Sequence, residues 1–187
     1  MSFKVQVGPA QIAIHHGRTV LVCEPDGQIH SPSDKGLYFN DTRLISSWSL
    51  YADGLPWSLL SGGAVTYDTM RVHMTNCALQ TQTGPIAART LGLVLSRTIQ
   101  GGMHEDIDIT NHGPTTVAFQ LEIGIRCDFA DVFEAKSNTL VRRGQIDTTW
   151  SSAEQRLDTA YNNAEFHRSV TVQPMCAGAV RYANGRL

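Results

Sequence analysis

Charge is scarce in this chain, and so are the motifs that usually announce a chemistry. Only 17% of the 187 residues are Asp, Glu, Lys or Arg, the formal net charge is -2, and basic residues never gather into a run. Nucleic acid and anionic membrane surfaces are therefore poor partners. The four cysteines, Cys23, Cys77, Cys127 and Cys176, form no Cys-x-x-Cys pair, so no zinc knuckle or redox motif is written here. They read as reduced thiols, mostly buried, in apolar strand-like runs. No stretch reaches transmembrane length. The opening Met1-Ser2-Phe3-Lys4-Val5-Gln6-Val7 has neither an apolar h-region nor a small-residue cleavage site, so no secretory signal is expected. P-loop, dinucleotide fingerprint and nucleophile elbow are missing too. The expectation is a soluble, cytoplasmic protein with no cofactor and no metal.

Helical periodicity is absent from every window of about a dozen residues, and alternation takes its place. Hydrophobic residues make up 42% of the chain and glycines number 16, a balance that suits a folded β-rich chain with one sizeable core. Strands are expected over residues 11–15 and 19–24, around His16-Gly17-Arg18, and over 44–52 and 55–60, around Asp53-Gly54. Further strands are expected at 64–67 and 71–79, then at 91–100 and 103–110 around the two-residue turn Gly101-Gly102. Residues 116–127 read as one long strand, with Val117, Phe119, Leu121, Ile123, Ile125 and Cys127 on a buried face. After a polar stretch with adjacent Arg142 and Arg143, strands are expected at 145–150, 154–159 and 164–172. Short strands joined by Gly, Pro, Asn and Asp turns predict an all-β fold, an antiparallel β-sandwich, in a single domain over residues 1–187.

One segment breaks the alternation. In Asp128-Phe129-Ala130-Asp131-Val132-Phe133-Glu134 the apolar residues 129, 132 and 133 fall at i, i+3 and i+4, which predicts a short acidic helical turn with one buried side. Asp128 is the expected cap, with Asp131 near the positive end of the helix dipole.

Two blocks carry a family resemblance. Gly36-Leu37-Tyr38-Phe39-Asn40-Asp41-Thr42-Arg43-Leu44-Ile45-Ser46 resembles a segment near the start of the N-terminal domain of bacterial and archaeal glycogen debranching enzymes (amylo-alpha-1,6-glucosidase-like). Asn111-His112-Gly113, the alternating strand and the 128–134 segment resemble a second signature of that domain. Thr19-Val20-Leu21-Val22 with Asp26-Gly27 is compatible with its first hairpin. The resemblance covers most of residues 10–140 and fades beyond Lys136. It implies a super-sandwich type of β-domain preceding a helical (α/α)-barrel, where the general acid and base of this glycoside hydrolase family reside. The residues after 140 still read as extended, so the barrel is expected to be absent here and the chain alone to lack hydrolytic activity.

Candidate residues follow from these blocks. Asp128, Asp131 and Glu134 are the densest carboxylate group. Glycoside hydrolysis needs two carboxyls roughly 5 to 9.5 Å apart with the sugar between them, and residues three apart on one turn project side by side. They therefore read as a docking element, or as a capped turn with its aromatics in the core; a calcium site lacks the spacing. Asp41 and Arg43 fall on one side of an extended segment, where they can pair with each other, pin a loop or line a cleft. Trp57 is the candidate sugar-stacking platform, against the ordinary fate of a core aromatic. His104, Asp106 and Asp108 share a strand face, which a solvated surface explains as well as a metal does. The functional readings are three. The first is a non-catalytic domain that braces a catalytic barrel and lines its α-glucan cleft. The others are a stand-alone carbohydrate-binding module and a structural or oligomerisation domain.

Overall fold

The computed structural model describes residues 10–141 and 143–187. The expectation for residues 1–7, and Arg142, lie outside them. Strand accounts for 55% of the chain and helix for 3%, which makes the fold all-β. A first antiparallel sheet is the meander β1 (Ile12–His16), β2 (Thr19–Cys23), β3 (Gly36–Phe39) and β4 (Thr42–Ile45). The chain then passes to β5 (Ser47–Ala52), β6 (Leu55–Ala64) and β7 (Thr69–Asn76), and makes a small hairpin of β8 (Leu79–Thr81) and β9 (Gly84–Ile86). It continues through β10 (Leu91–Ile99), β11 (Met103–Asn111) and β12 (Leu121–Arg126). Strands 5, 6, 7, 10, 11 and 12 form a second sheet in the order β11-β10-β7-β6-β5-β12. After the helix α1 (Val132–Ser137), the strands β13 (Gln145–Ser151), β14 (Arg156–Asn163) and β15 (Phe166–Val172) make a third sheet.

The second sheet curls because β5 and β6 share only two residue pairs, Tyr51 with Pro56 and Ala52 with Leu55. Its concave face meets the first sheet. Ile14, Leu21 and Cys23 from one side pack with Met70, Val72, Leu93 and Leu95 from the other, all essentially inaccessible. The turn over this core needs Gly27: its φ is +77°, and a Cβ there would lie 2.9 Å from the Leu95 side chain.

Three strand expectations change. The strand expected at 64–67 is instead the bend that follows β6, closed by the Val65 and Thr66 amides donating to the Thr69 carbonyl at 2.8 and 3.1 Å. Residues 44–52 are not one strand. β4 pairs with β3, β5 pairs with β12, and Ser46 is the corner between sheets, its amide donating to the Arg126 carbonyl at 2.8 Å. Residues 116–127 are strand only from Leu121. The partner β5 ends at Ala52 and turns away at Asp53-Gly54, so the ladder stops where Asp53 donates to the Gln120 carbonyl. Phe119 packs edge-on against Trp57 at 6.1 Å instead. On the far side of β12, Ile123 and Leu187 exchange backbone hydrogen bonds at 2.8 and 2.9 Å. Arg186 reaches Glu122 at 2.6 Å and lies over the Tyr51 ring. That edge is thus covered rather than left as a free template.

β10 alternates buried and half-buried along its whole length, and one of its buried positions is Arg97. Its guanidinium is fully enclosed. Nε donates to Glu105 across the β10–β11 ladder at 2.5 Å, and Nη1 donates to the Gly27 carbonyl. The second Glu105 oxygen accepts from the Trp48 indole at 3.1 Å. A charge in a core is tolerated only when paired and hydrogen-bonded, and here the pairing also ties the Gly27 turn and β5 to β10.

All four cysteines are free, and of them Cys23 is buried, Cys77 and Cys127 are half-buried and Cys176 is exposed. Burial pushes the Cys23 thiol up to about 11 and the Cys127 thiol up to about 12. Among the described residues no helix is long and apolar enough to cross a membrane.

Two outcomes follow. Glu105→Ala strands the Arg97 charge and is expected to lower the unfolding free energy by roughly 3–5 kcal/mol in urea titrations. Exchanging both residues for Met and Leu should recover most of that loss. For the thiols, the folded state favours the protonated form, so their contribution is complete below the ordinary value of 9.0 and is lost as pH climbs toward 11 to 12. Ellman's reagent at pH 8 should label Cys176 first and reach Cys23 and Cys127 only on unfolding.

Candidate functional site

The two sequence blocks meet. Arg43, near the start of β4, reaches Asp128, 85 residues later, through a forked contact. Its Nε donates to Oδ1 at 3.1 Å and its Nη2 donates to Oδ2 at 2.5 Å. Its Nη1 donates to the backbone carbonyls of Ser33 at 2.5 Å and Lys35 at 3.3 Å. Every edge of the guanidinium is therefore engaged, and the side chain is only 9% exposed. Burial works against the Arg43 charge, but the hydrogen bonds and field of Asp128 outweigh it and hold the group above its ordinary value. Asp41 is not the partner of Arg43; its carboxylate faces solvent while its carbonyl accepts from Val132 at 2.9 Å. Arg43 in turn donates its amide to the Ala130 carbonyl at 2.7 Å, and Thr42 bridges Asp131. The blocks are thus zipped by backbone and locked by one ion pair.

The helical turn exists, with a different cap. Asp131, not Asp128, is the N-cap of α1: its Oδ1 accepts from the Phe133 amide at 2.7 Å and the Glu134 amide at 3.3 Å. Glu134 completes a capping box by accepting from the Asp131 amide at 3.2 Å. Asp128 is engaged by Arg43, and the amide from which its Oδ1 does accept, that of Ala130 at 3.3 Å, lies before the helix, across a backbone reversal. That reversal is at Phe129, whose φ of +54° is unusual for an aromatic residue. Phe129 is buried and stacked on Tyr161 of β14, with centroids 5.5 Å apart and planes 12° apart. Phe166 meets the other side of Tyr161 edge-on at 6.1 Å. Of the three apolar residues expected to face inward, Phe129 is buried and Val132 partly so, whereas Phe133 is 77% exposed.

Between the turn and the third sheet lies a groove of about 270 Å³. Asp41, Asp128, Asp131 and Glu134 line one wall, and Tyr161, Asn163 and Phe166 the other. Leu140, Val141 and Arg143 complete the lining. Arg143 Nη1 stands 2.8 Å from Glu134 Oε1 as an ion pair, without the angles of a hydrogen bond. Four of the five carboxylate and arginine candidates thus converge on one groove, with Arg43 behind its wall. Trp57 does not join them. It is 6% exposed and packed on Phe119, so no sugar ring can reach its face. His104 and Asp106 lie 3.2 Å apart on an exposed strand face, and no cluster able to hold a metal exists among the described residues.

Tyr161 and Phe166 carry no local signal of a place in this groove. β14 alternates visibly, with Leu157, Thr159 and Tyr161 buried, but nothing local to it says that it will pack against residue 129. Gly144 lets the chain enter β13 close beside β14: a Cβ at that position would collide with the Asn162 carbonyl oxygen.

Because Arg43 and Asp128 are both largely enclosed, Arg43→Met or Asp128→Asn is expected to lose about 3 kcal/mol of stability in chemical denaturation. Arg43→Lys should recover little, since one ammonium cannot serve two carboxylate oxygens and two carbonyls together.

No curated protein matches the chain. Residues 14–187 match the family model described as the N-terminal domain of (some) glycogen debranching enzymes. That span takes in both motif blocks, the groove between them and the third sheet. The chain belongs to the family of N-terminal domains of glycogen debranching enzymes.

Proposed function

We propose that this chain is a non-catalytic domain that braces the catalytic (α/α)-barrel of a debranching-type glycoside hydrolase and forms one wall of its α-glucan cleft. The observation that carries this reading is an exposed apolar rim beside the motif groove. Phe133 is 77%, Val141 50%, Leu140 47% and Phe166 37% exposed. Large apolar side chains grouped around a rigid, ion-paired turn are the mark of a surface built to be covered. The carboxylates of the groove support bracing rather than hydrolysis. Asp128 is committed to Arg43, Asp131 to the helix cap and Glu134 to the capping box and Arg143, which leaves Asp41 as the one wholly uncommitted carboxyl, and hydrolysis needs two, with the sugar between them. A stand-alone carbohydrate-binding module is less well supported, because Trp57 is buried and Phe129 and Tyr161 are stacked on each other. Four free cysteines fit a reducing, cytoplasmic setting.

The test compares the barrel domain alone with the barrel plus this domain. The 187-residue chain is expected to co-purify with the barrel, raise its Tm by several degrees and lower KM for branched α-glucan. A barrel equally stable and equally active without the domain would overturn the proposal.

A further inference from the structure

Resting on that reading, we infer that the motif groove receives a protein segment bearing one Lys or Arg between apolar side chains, and that Asp41 and Asp131 supply its counter-charges. Four carboxylates line the groove against one guanidinium, Arg143. Asp128 is neutralised by Arg43 and Glu134 by Arg143. Asp41 and Asp131 are the carboxylates that have no cation among the described residues. Both are exposed, and both are held in place by backbone, Asp41 through the Val132 amide and Asp131 through the helix cap. Asp131 presents only one oxygen to the cap, so Oδ2 is left to accept from a partner. Pre-positioned acids of this kind select a cationic partner more than they add affinity to any partner.

The walls of the groove choose protein over sugar. Its volume of about 270 Å³ accommodates one or two side chains. The aromatic wall is poorly suited to a pyranose: Phe129 and Tyr161 cover each other and are 6% and 8% exposed, and the Arg168 guanidinium already lies over the Phe166 ring, 4.3 Å from its centroid. What the rim offers is aliphatic and aromatic edge from Leu140, Val141, Phe166 and the outward Phe133. A cation with apolar flanks satisfies both: its charge meets Asp41 and Asp131, and its neighbours cover the rim.

The experiment is a titration of the barrel domain into the 187-residue chain at low and high salt, with Asp41→Lys, Asp41→Asn and Phe133→Ser variants. Each is at the surface and is checked for an unchanged Tm. The proposal expects wild-type binding that weakens with salt, a loss of about tenfold or more for Asp41→Lys, a smaller loss for Asp41→Asn, and a loss for Phe133→Ser that salt does not alter. Binding that is salt-independent and indifferent to Asp41 overturns this inference and leaves the bracing role standing. No binding at all overturns both. Saturable maltoheptaose binding abolished by Asp41→Lys, or a dimer of the chain that Phe133→Ser dissolves, would place a sugar or a second copy in the groove and also overturn it.

Discussion

Arg43 and Asp128 stand 85 residues apart in the chain and 2.5 Å apart in space, and the whole candidate site is arranged around that contact. The fork fixes where the 128–134 turn leaves the sheet. From there the backbone exchange between Arg43 and Ala130, and between Val132 and Asp41, sets the turn against β4. Phe129 can then hold a positive φ, because the ion pair anchors it on one side and the Tyr161 ring on the other. A left-handed aromatic residue costs of order 1–3 kcal/mol unless its surroundings over-determine it. Here they do, and the third sheet is brought to the groove as a result.

The fold contains a second buried ion pair with a different task. Arg97 and Glu105 sit inside the sandwich, joined to the Gly27 turn and the Trp48 indole. Neither pair is a strong source of net stability, since desolvation consumes much of the attraction. Their value lies in register. Apolar side chains can slide past one another at small penalty, whereas a buried guanidinium is held by the partners it finds, four acceptors at Arg43 and two at Arg97, whose Nη2 stays unpartnered. One pair therefore ties the Gly27 turn beyond β2 to the second sheet, and the other holds the 128–134 turn against β4.

This division of labour bears on what the domain does. The rigid part of the surface is acidic and the part around it is apolar, and most of its carboxylates are already engaged by Arg43, the helix cap and Arg143. The family match says which enzymes such a domain belongs to, and the bracing role proposed above rests on the apolar rim alone.

The period-two alternation of β10 and β11 was readable from the residues alone, as were the turns at Gly54 and Gly101, the all-β class and the existence of one short acidic helix. These depend on local sterics and on which face of a strand is apolar, and both are written in consecutive residues. The end of β12 was not readable, because it is decided by where β5 runs out. The cap, by contrast, is legible locally: Asp131 has Glu134 three residues on, the capping-box spacing that Asp128 lacks, and Arg43 separately engages Asp128. Trp57 went to the core and Phe133 to the surface because burial is a property of what lies opposite. The sequence determined the elements and the chemistry available to the turn. The tertiary structure decided which carboxylates are spoken for and which remain open, because ion pairing depends on separations in space that no spacing along the chain encodes.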